Sequence, residues 1–429
     1  MKILIVVGAR PNFMKASPII RAIQRHNERT SGALATWHQG SGEAIQYILV
    51  HTGQHYDDVM SGSFFRDLSL PTPDVHLGVG SGSHAVQAAE IMKKFEPILL
   101  QEKPNIVLLV GDVNSTLACA LVTAKIAFDS AGSRPLLAHV EAGLRSFDRS
   151  MPEEINRIVT DQVSDLLFVT EESAVQNLRN EGVSPHKIHF VGNTMIDSLL
   201  ASKDKADRST ILDRLNLRAQ ERNNGDGNSI CPYALLTLHR PSNVDDVENF
   251  LNILDGLTEL AASHPIVFPV HPRTRRRLEQ FNGRVRVGIH WTDINPGSKE
   301  SETDRVGIIL TEPMGYLDFL CLMKHATLVV TDSGGVQEET TCLGVPCVTV
   351  RNNTERPVTT KKGTNIIAGT DKERIRDAVR RQTARKRLPP CVPEKWDGQA
   401  AARIVAALMD VCHSNQVPDN RRSAGFAFA

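Results

Sequence analysis

Thr327–Cys342 reads TLVVTDSGGVQEETTC. Thr327 to Thr331 is the apolar, β-branched run of a buried strand. Asp332-Ser333-Gly334-Gly335 then reverses the chain into a helix expected to start near Val336. Ser333 suits its N-cap, and two residues without a Cβ let a ligand approach the backbone. The free N–H groups and positive dipole end of such a helix hold an anion, most simply a diphosphate. Glu338 and Glu339 follow in the first turn. The same residues also fit an ordinary strand–turn–helix, with the glycines serving the turn and the glutamates answering the dipole. The rest of the chain has to decide between the two.

Working outward, the unit repeats. Lys2–Val7, Tyr47–His51, Asn105–Val110, Leu136–Val140, Leu166–Val169 and Ile188–Val191 read as strands of a first half. Ala234–Leu238, Ile266–Val270, Ile308–Thr311, Thr327–Thr331 and Cys347–Val350 read as strands of a second, with Gly192-Asn193 as the hinge. Helical patterns lie between them. The first runs through Ile23, and Pro18 is expected to start or bend it. Others are Ser83–Gln101, Val244–Ser263 and Trp396–Val411, while Thr30–Gly42 reads as a loop. Alternating βα units predict an α/β protein with two doubly wound parallel sheets, whose ligands bind beyond the carboxyl ends of the strands. Arg10, Asp112 and Glu141 follow strands of the first half; His239, His271, Glu312 and Ser333 follow strands of the second. Singly, each is an ordinary turn residue. Together, on one edge of two sheets, they mark an interdomain cleft.

The chain has 429 residues, enough for two or three domains, and its 49 Lys+Arg equal its 49 Asp+Glu. No global field recruits nucleic acid or an anionic membrane, so an anion site must be local. The 7 cysteines are scattered without a C-x-x-C, which points to reduced thiols in a cytoplasmic protein. No apolar run reaches the length of a membrane span. Gly8–Phe13 lacks the G-x-G-x-x-G of a dinucleotide fold and the G-K-[ST] of a P-loop, and no cluster has metal-ligand spacing. The chemistry is therefore expected to need no cofactor and no metal.

The chain resembles the non-hydrolysing UDP-N-acetylglucosamine 2-epimerases in GARPNFMK (Gly8–Lys15), GDVNST (Gly111–Thr116), HVEAGLR (His139–Arg145), PEEINR (Pro152–Arg157), VGNTMID (Val191–Asp197), LTLHRPSN (Leu236–Asn243), SGGVQEE (Ser333–Glu339) and TERP (Thr354–Pro357). These stretches run in the family's order. The resemblance implies two Rossmann-like domains of the glycosyltransferase-B type, residues 1–192 and 193–393, with a helix over 394–412 returning to the first domain; residues 413–429 are expected to be disordered. It implies a UDP-sugar substrate, a homodimer, and inversion at C2 by anti elimination of UDP to a 2-acetamidoglucal, then re-addition. Asp112, Glu141 and Glu153 correspond to the family's acid/base carboxylates. Arg10, Lys15, His239, Ser333, Gly334 and Gly335 would hold the diphosphate, with His239 counted among the catalytic groups. Glu339 faces the ribose, Phe319 the uracil, and Arg356 the sugar. Two departures stand out. Met314 occupies a position where many members carry Gln, so backbone groups must read the base. Gln54-His55-Tyr56-Asp57 replaces the Q-H-x-Q of regulated bacterial members, which speaks against activation by a second nucleotide sugar. A 2-epimerase of a related sugar such as a UDP-diacetamido uronate, a hydrolysing epimerase, a glycosyltransferase of the same fold and a UDP-sugar sensor are the alternatives.

Overall fold

The computed structural model describes the chain apart from residues 32–43, 54–69, 219–228, 271, 281–287, 292–305, 386–388, 390–391 and 414–429. The first-half strands are β1 Lys2–Val7, β2 Gln46–His51, β3 Val75–His76, β4 Ile106–Val110, β5 Leu136–Ala142, β6 Leu166–Val169 and β7 Ile188–Phe190. They form a seven-stranded parallel sheet ordered β3-β2-β1-β4-β5-β6-β7. The second half supplies β8 Ala234–Thr237, β9 Ile266–Pro269, β10 Ile289–Trp291, β11 Ile308–Thr311, β12 Leu328–Thr331, β13 Cys347–Thr349 and β14 Asn365–Ile367. These form a second seven-stranded parallel sheet, ordered β10-β11-β9-β8-β12-β13-β14.

Side-chain alternation explains the layers. Ile3, Ile5 and Val7 join Ile19, Ile20 and Ile23 of the helix Arg10–Ser31, whereas Leu4 and Val6 join Ile91, Phe95 and Leu99 of the helix His84–Glu102. Both faces are covered, as a parallel sheet requires. In the second sheet Ala234 and Leu236 pack with Phe250 and Ile253, while Leu235 faces the other way. That other side is shared. One core runs from the first sheet through Ile196 and Leu199 to Leu235 and Val329, and includes Ile404 and Leu408.

Several elements differ from their sequence reading. The first helix passes through Pro18 and continues to Ser31, so Thr30 and Ser31 are helical, not loop. Pro18 has no N–H for the carbonyl of Met14; the Ser198 hydroxyl donates to that oxygen instead, at 2.6 Å. The segment Val244–Ser263 is broken into Pro241–Val244, Val247–Gly256 and Thr258–Ser263, because Asp246 caps a new start by accepting from Asn249 N–H. The last helix begins at Ala400, not at Trp396, and Asp197 accepts from the N–H groups of Ala400 and Ala401. Trp396 lies buried ahead of it, its indole donating to the carbonyl of Thr170 at 2.8 Å. Gly192 is obligatory beneath this returning segment: its φ is +92°, and a Cβ there would stand 1.9 Å from the Lys395 carbonyl oxygen.

Candidate active site

In each sheet the strand order reverses once on either side of a central pair. Those points are β1/β4 and β8/β12, where ligand crevices open at the carboxyl ends. At the first, Asn12 stitches the loop after β1 to the end of β4. Its Oδ1 accepts from Gly8 and Ala9 N–H at 3.1 and 2.9 Å, and its Nδ2 donates to the Val110 carbonyl at 2.8 Å. One turn on, Lys15 forms a buried ion pair with Glu141. Glu141 has a φ of +76°, at a bulge between Val140 and Ala142 in the β5–β6 register. Left-handed backbone at a non-glycine residue costs about 1–3 kcal/mol and collects at functional positions. Gly111, with φ +73°, makes room for this pair: a Cβ there would approach Lys15 Nζ to 3.0 Å.

Asp112 follows, 2.5 Å from Arg157 Nη1, and Arg157 is held in turn by Glu154 at 2.6 Å. Glu154 also accepts from Ser146 and Phe147 N–H at 3.0 and 2.8 Å, which fixes the loop ahead of the helix Pro152–Val163. Burial works to raise the Asp112 carboxyl, but Arg157, Lys15 and Arg356 outweigh it and hold it below the usual range. Asp112 is therefore ionised at neutral pH. Beneath it His139 spans Asp161, at 2.6 Å, and the Gly111 carbonyl, at 2.8 Å.

At the second crevice, the helix Gly334–Leu343 starts earlier than its sequence suggests. Ser333 takes the N-cap position without its hydroxyl capping the helix. Gly334 is needed for the protein's own packing, since a Cβ there would stand 2.5 Å from Glu355 Oε1. Arg351 anchors Glu355 at 2.7 Å, and Arg351, Arg356 and Arg240 overcome its burial to keep it ionised. His239 Nδ1 lies 2.8 Å from buried Asp332; burial lowers the imidazole, but Asp332 prevails and raises it. Asp332 also accepts from the backbone N–H of His239 and Arg240, which fixes the loop after β8.

The two crevices meet at Arg356. Its Nη2 donates to Glu141 Oε1 at 2.6 Å across the cleft, and its Nε lies 2.9 Å from Glu338. Glu339, beside it, accepts from the Tyr316 hydroxyl at 2.7 Å; burial pushes its carboxyl up to about 7. The structure thus joins Lys15, Glu141 and Arg356, with Asp112, Ser333, Gly334, Gly335, His239 and Glu339 around them. It does not wire in Glu153, which is half-buried and has no ion-pair or hydrogen-bond partner among the described residues; its neighbour Glu154 holds that place. Phe319 is half-buried against the core that the two sheets share. Arg10 begins its helix, but its side chain, like His271, Gln54–Asp57 and the tail from 414, lies outside the described residues. Sequence reasoning missed Arg157, Glu154, Glu338 and Glu355 as working parts, although PEEINR, SGGVQEE and TERP contain all four.

Residues 40–409 match the family profile described as UDP-N-acetylglucosamine 2-epimerase. The chain belongs to the UDP-N-acetylglucosamine 2-epimerase family. It is 42% identical over 418 residues to the UDP-N-acetylglucosamine 2-epimerase of Methanocaldococcus jannaschii, covering 95% of this chain and 99% of the relative. A Pseudomonas aeruginosa UDP-2,3-diacetamido-2,3-dideoxy-D-glucuronate 2-epimerase is 36% identical over 411 residues, again 95% and 99% of the two chains. The crystal structure of the Methanocaldococcus jannaschii UDP-GlcNAc 2-epimerase with UDP-GlcNAc and UDP superposes with a TM-score of 0.76 at 38% identity, covering 95% of this chain and 100% of that one. The Neisseria meningitidis UDP-GlcNAc 2-epimerase bound to UDP-GlcNAc gives 0.74 at 26% identity, over 96% and 100%. The two parallel-sheet domains of this epimerase-family chain are thus the fold of its solved relatives.

Proposed function

We propose that this chain interconverts UDP-N-acetylglucosamine and UDP-N-acetylmannosamine by anti elimination of UDP to a 2-acetamidoglucal and re-addition of UDP to its other face. The observation that carries the reading is the meeting of Lys15, Glu141 and Arg356 across the cleft, beside an ionised Asp112 and the Gly334–Gly335 helix start. The hydrogen at C2 is not next to a carbonyl, so its removal needs a placed base together with an anion that leaves readily. Asp112, Glu141 and Glu153 are the acid/base candidates, and such groups supply roughly 10²–10⁴-fold each. The amides of Ser333, Gly334 and Gly335, with Arg10, Lys15 and His239, hold the diphosphate as charge develops on it. One preorganised donor of this kind contributes roughly 3–4 kcal/mol to the barrier. Glu339 takes the ribose hydroxyls, Phe319 lies by the uracil and Arg356 serves the sugar end.

We read residues 1–192 and 193–393 as the two domains, with 394–412 returning to the first; Trp396 on the Thr170 carbonyl and Arg403 on the Val191 carbonyl support this division. We place the enzyme in the cytoplasm as a homodimer. No helix among the described residues is long and apolar enough to cross a membrane, and light scattering tests the dimer.

The deciding experiment follows purified protein with UDP-GlcNAc in D₂O by NMR. Deuterium should enter C2 in both epimers, with traces of UDP and a glycal. Protium retained at C2 through complete turnover refutes elimination. Turnover of a UDP-diacetamido uronate but not of UDP-GlcNAc moves the substrate to that of the Pseudomonas relative.

A further inference from the structure

Glu338 stands in the second turn of the helix Gly334–Leu343 and is fully buried. Neither of its carboxyl oxygens makes a hydrogen bond; Arg356 Nε lies 2.9 Å away, out of line for one. That guanidinium is contested. Its Nη2 is bound to Glu141, while its Nε and Nη1 make no hydrogen bond although they are buried. The other charged groups facing Glu338 are Glu141 at the end of β5, Lys15 on the first helix and Glu171 after β6, with Glu355 beside Arg356. The carboxylates of Glu141, Glu355, Asp112 and Glu154 each pair with a cation other than Arg356. Glu141 has Lys15, Glu355 has Arg351, and Asp112 and Glu154 have Arg157.

A buried carboxylate with no hydrogen bond and only a share in one cation is costly, and the same group as a neutral acid costs far less. We propose that Glu338 is a positioning residue of the epimerase site, which as the neutral acid lies beside the Nε edge of Arg356, leaves that guanidinium's charge to Glu141 and keeps negative charge away from the diphosphate site at Gly334 and Gly335. Burial, with Arg356 opposing, pushes Glu338 up to about 8, in keeping with this geometry. Ionised Glu338 would draw Arg356 from Glu141 and place a negative charge within one helical turn of Gly334 and Gly335. The anion and the proton therefore bind together: a diphosphate at the helix start raises the proton affinity of Glu338, and loss of the proton weakens the diphosphate site. This rests on the reading of Ser333–Gly335 as the diphosphate site.

The test is calorimetric titration of UDP into the intact protein at pH 8, in buffers of different ionisation enthalpy, for wild type and E338Q. Protons bound by UDP itself are common to both proteins. Wild type should take up about half a proton more per UDP than E338Q, because a group titrating near 8 is about half protonated there. Equal proton numbers overturn the proposal. Failure of UDP to bind wild type at all overturns the diphosphate reading first, which is a different result. Turnover gives a second readout: E338A should lose about tenfold in kcat, E338Q should recover most of it, and wild type should show an alkaline fall near pH 8 that E338Q lacks. Equal losses in both variants, with that fall unchanged, reduce Glu338 to a packing residue.

Discussion

Replacing Glu339 with Gln should remove the acid limb of substrate binding. Glu339 is 3% exposed, accepts from the Tyr316 hydroxyl at 2.7 Å, and is pushed by burial to about 7. To accept from both ribose hydroxyls it must be ionised, because a protonated acid loses an acceptor site and gains a donor. Below its pKa the protein must first give up a proton, so the apparent Kd rises by the factor 1 + 10^(pKa − pH). That factor is about 2 at pH 7, about 11 at pH 6 and about 100 at pH 5, approaching the 1.4 kcal/mol per unit that linkage sets. Titration calorimetry with UDP-GlcNAc is the assay, since its phosphodiester groups do not titrate in this range. Wild type should weaken about fivefold from pH 7 to 6 and about tenfold more to pH 5. E339Q should bind weakly and with little slope. His239, raised by Asp332, gains charge toward acid and works in the opposite sense, but it does so equally in both proteins. A wild-type Kd steady within twofold from pH 5 to 7, or an equal slope in E339Q, refutes the assignment of Glu339 to the ribose.

D112N and E141Q keep shape but remove the titrating group, so each should lower kcat roughly 10²-fold or more while UDP affinity changes little; wild-type turnover in both would sink the acid/base assignment. S198A strips the hydroxyl from the Met14 carbonyl that Pro18 leaves unbonded. It should cost about 1–2 kcal/mol in denaturant unfolding, and distinctly less in a P18A background, where residue 18 regains its N–H; equal costs in the two backgrounds would show that the proline does not set the need. With Asp57 where regulated relatives carry Gln, steady-state kinetics should be hyperbolic. A lag in the reverse reaction, relieved by traces of UDP-GlcNAc, would contradict this.

The fold was legible wherever a strand was long enough to show its composition. The three strands that the sequence hid, Val75–His76, Ile289–Trp291 and Asn365–Ile367, are two or three residues long and all lie at sheet edges. Such segments carry too few residues for a period-2 pattern to emerge. The reach of the first helix was hidden for a different reason. A proline inside a helix reads as a break, and the tertiary contact from Ser198, far along the chain, takes up the carbonyl it leaves unbonded.

The site was legible as a set of strand ends and illegible as a set of partners. Asp112, Glu141, His239 and Ser333 could be named because the carboxyl ends of parallel strands converge. Which acid of a pair does the work is another matter. Glu153 and Glu154 stand four and three residues before Arg157, so both spacings allow a contact with it, and packing that the sequence does not display decides which is made. Here Glu154 faces it and Glu153 does not. In Glu338-Glu339 that logic yields differently, because the helix is enclosed on several sides: Met195 reaches Gly335 from the helix Thr194–Ala206, Glu355 and Arg356 crowd Gly334, and Tyr316 meets Glu339. Both acids are buried, and neither has a cation to itself. One lies beside a contested arginine and the other accepts from a phenol, so burial raises both. A glycine-rich turn followed by two glutamates thus carries less negative charge near neutrality than its sequence suggests, which favours the proposed binding of a diphosphate at this helix start.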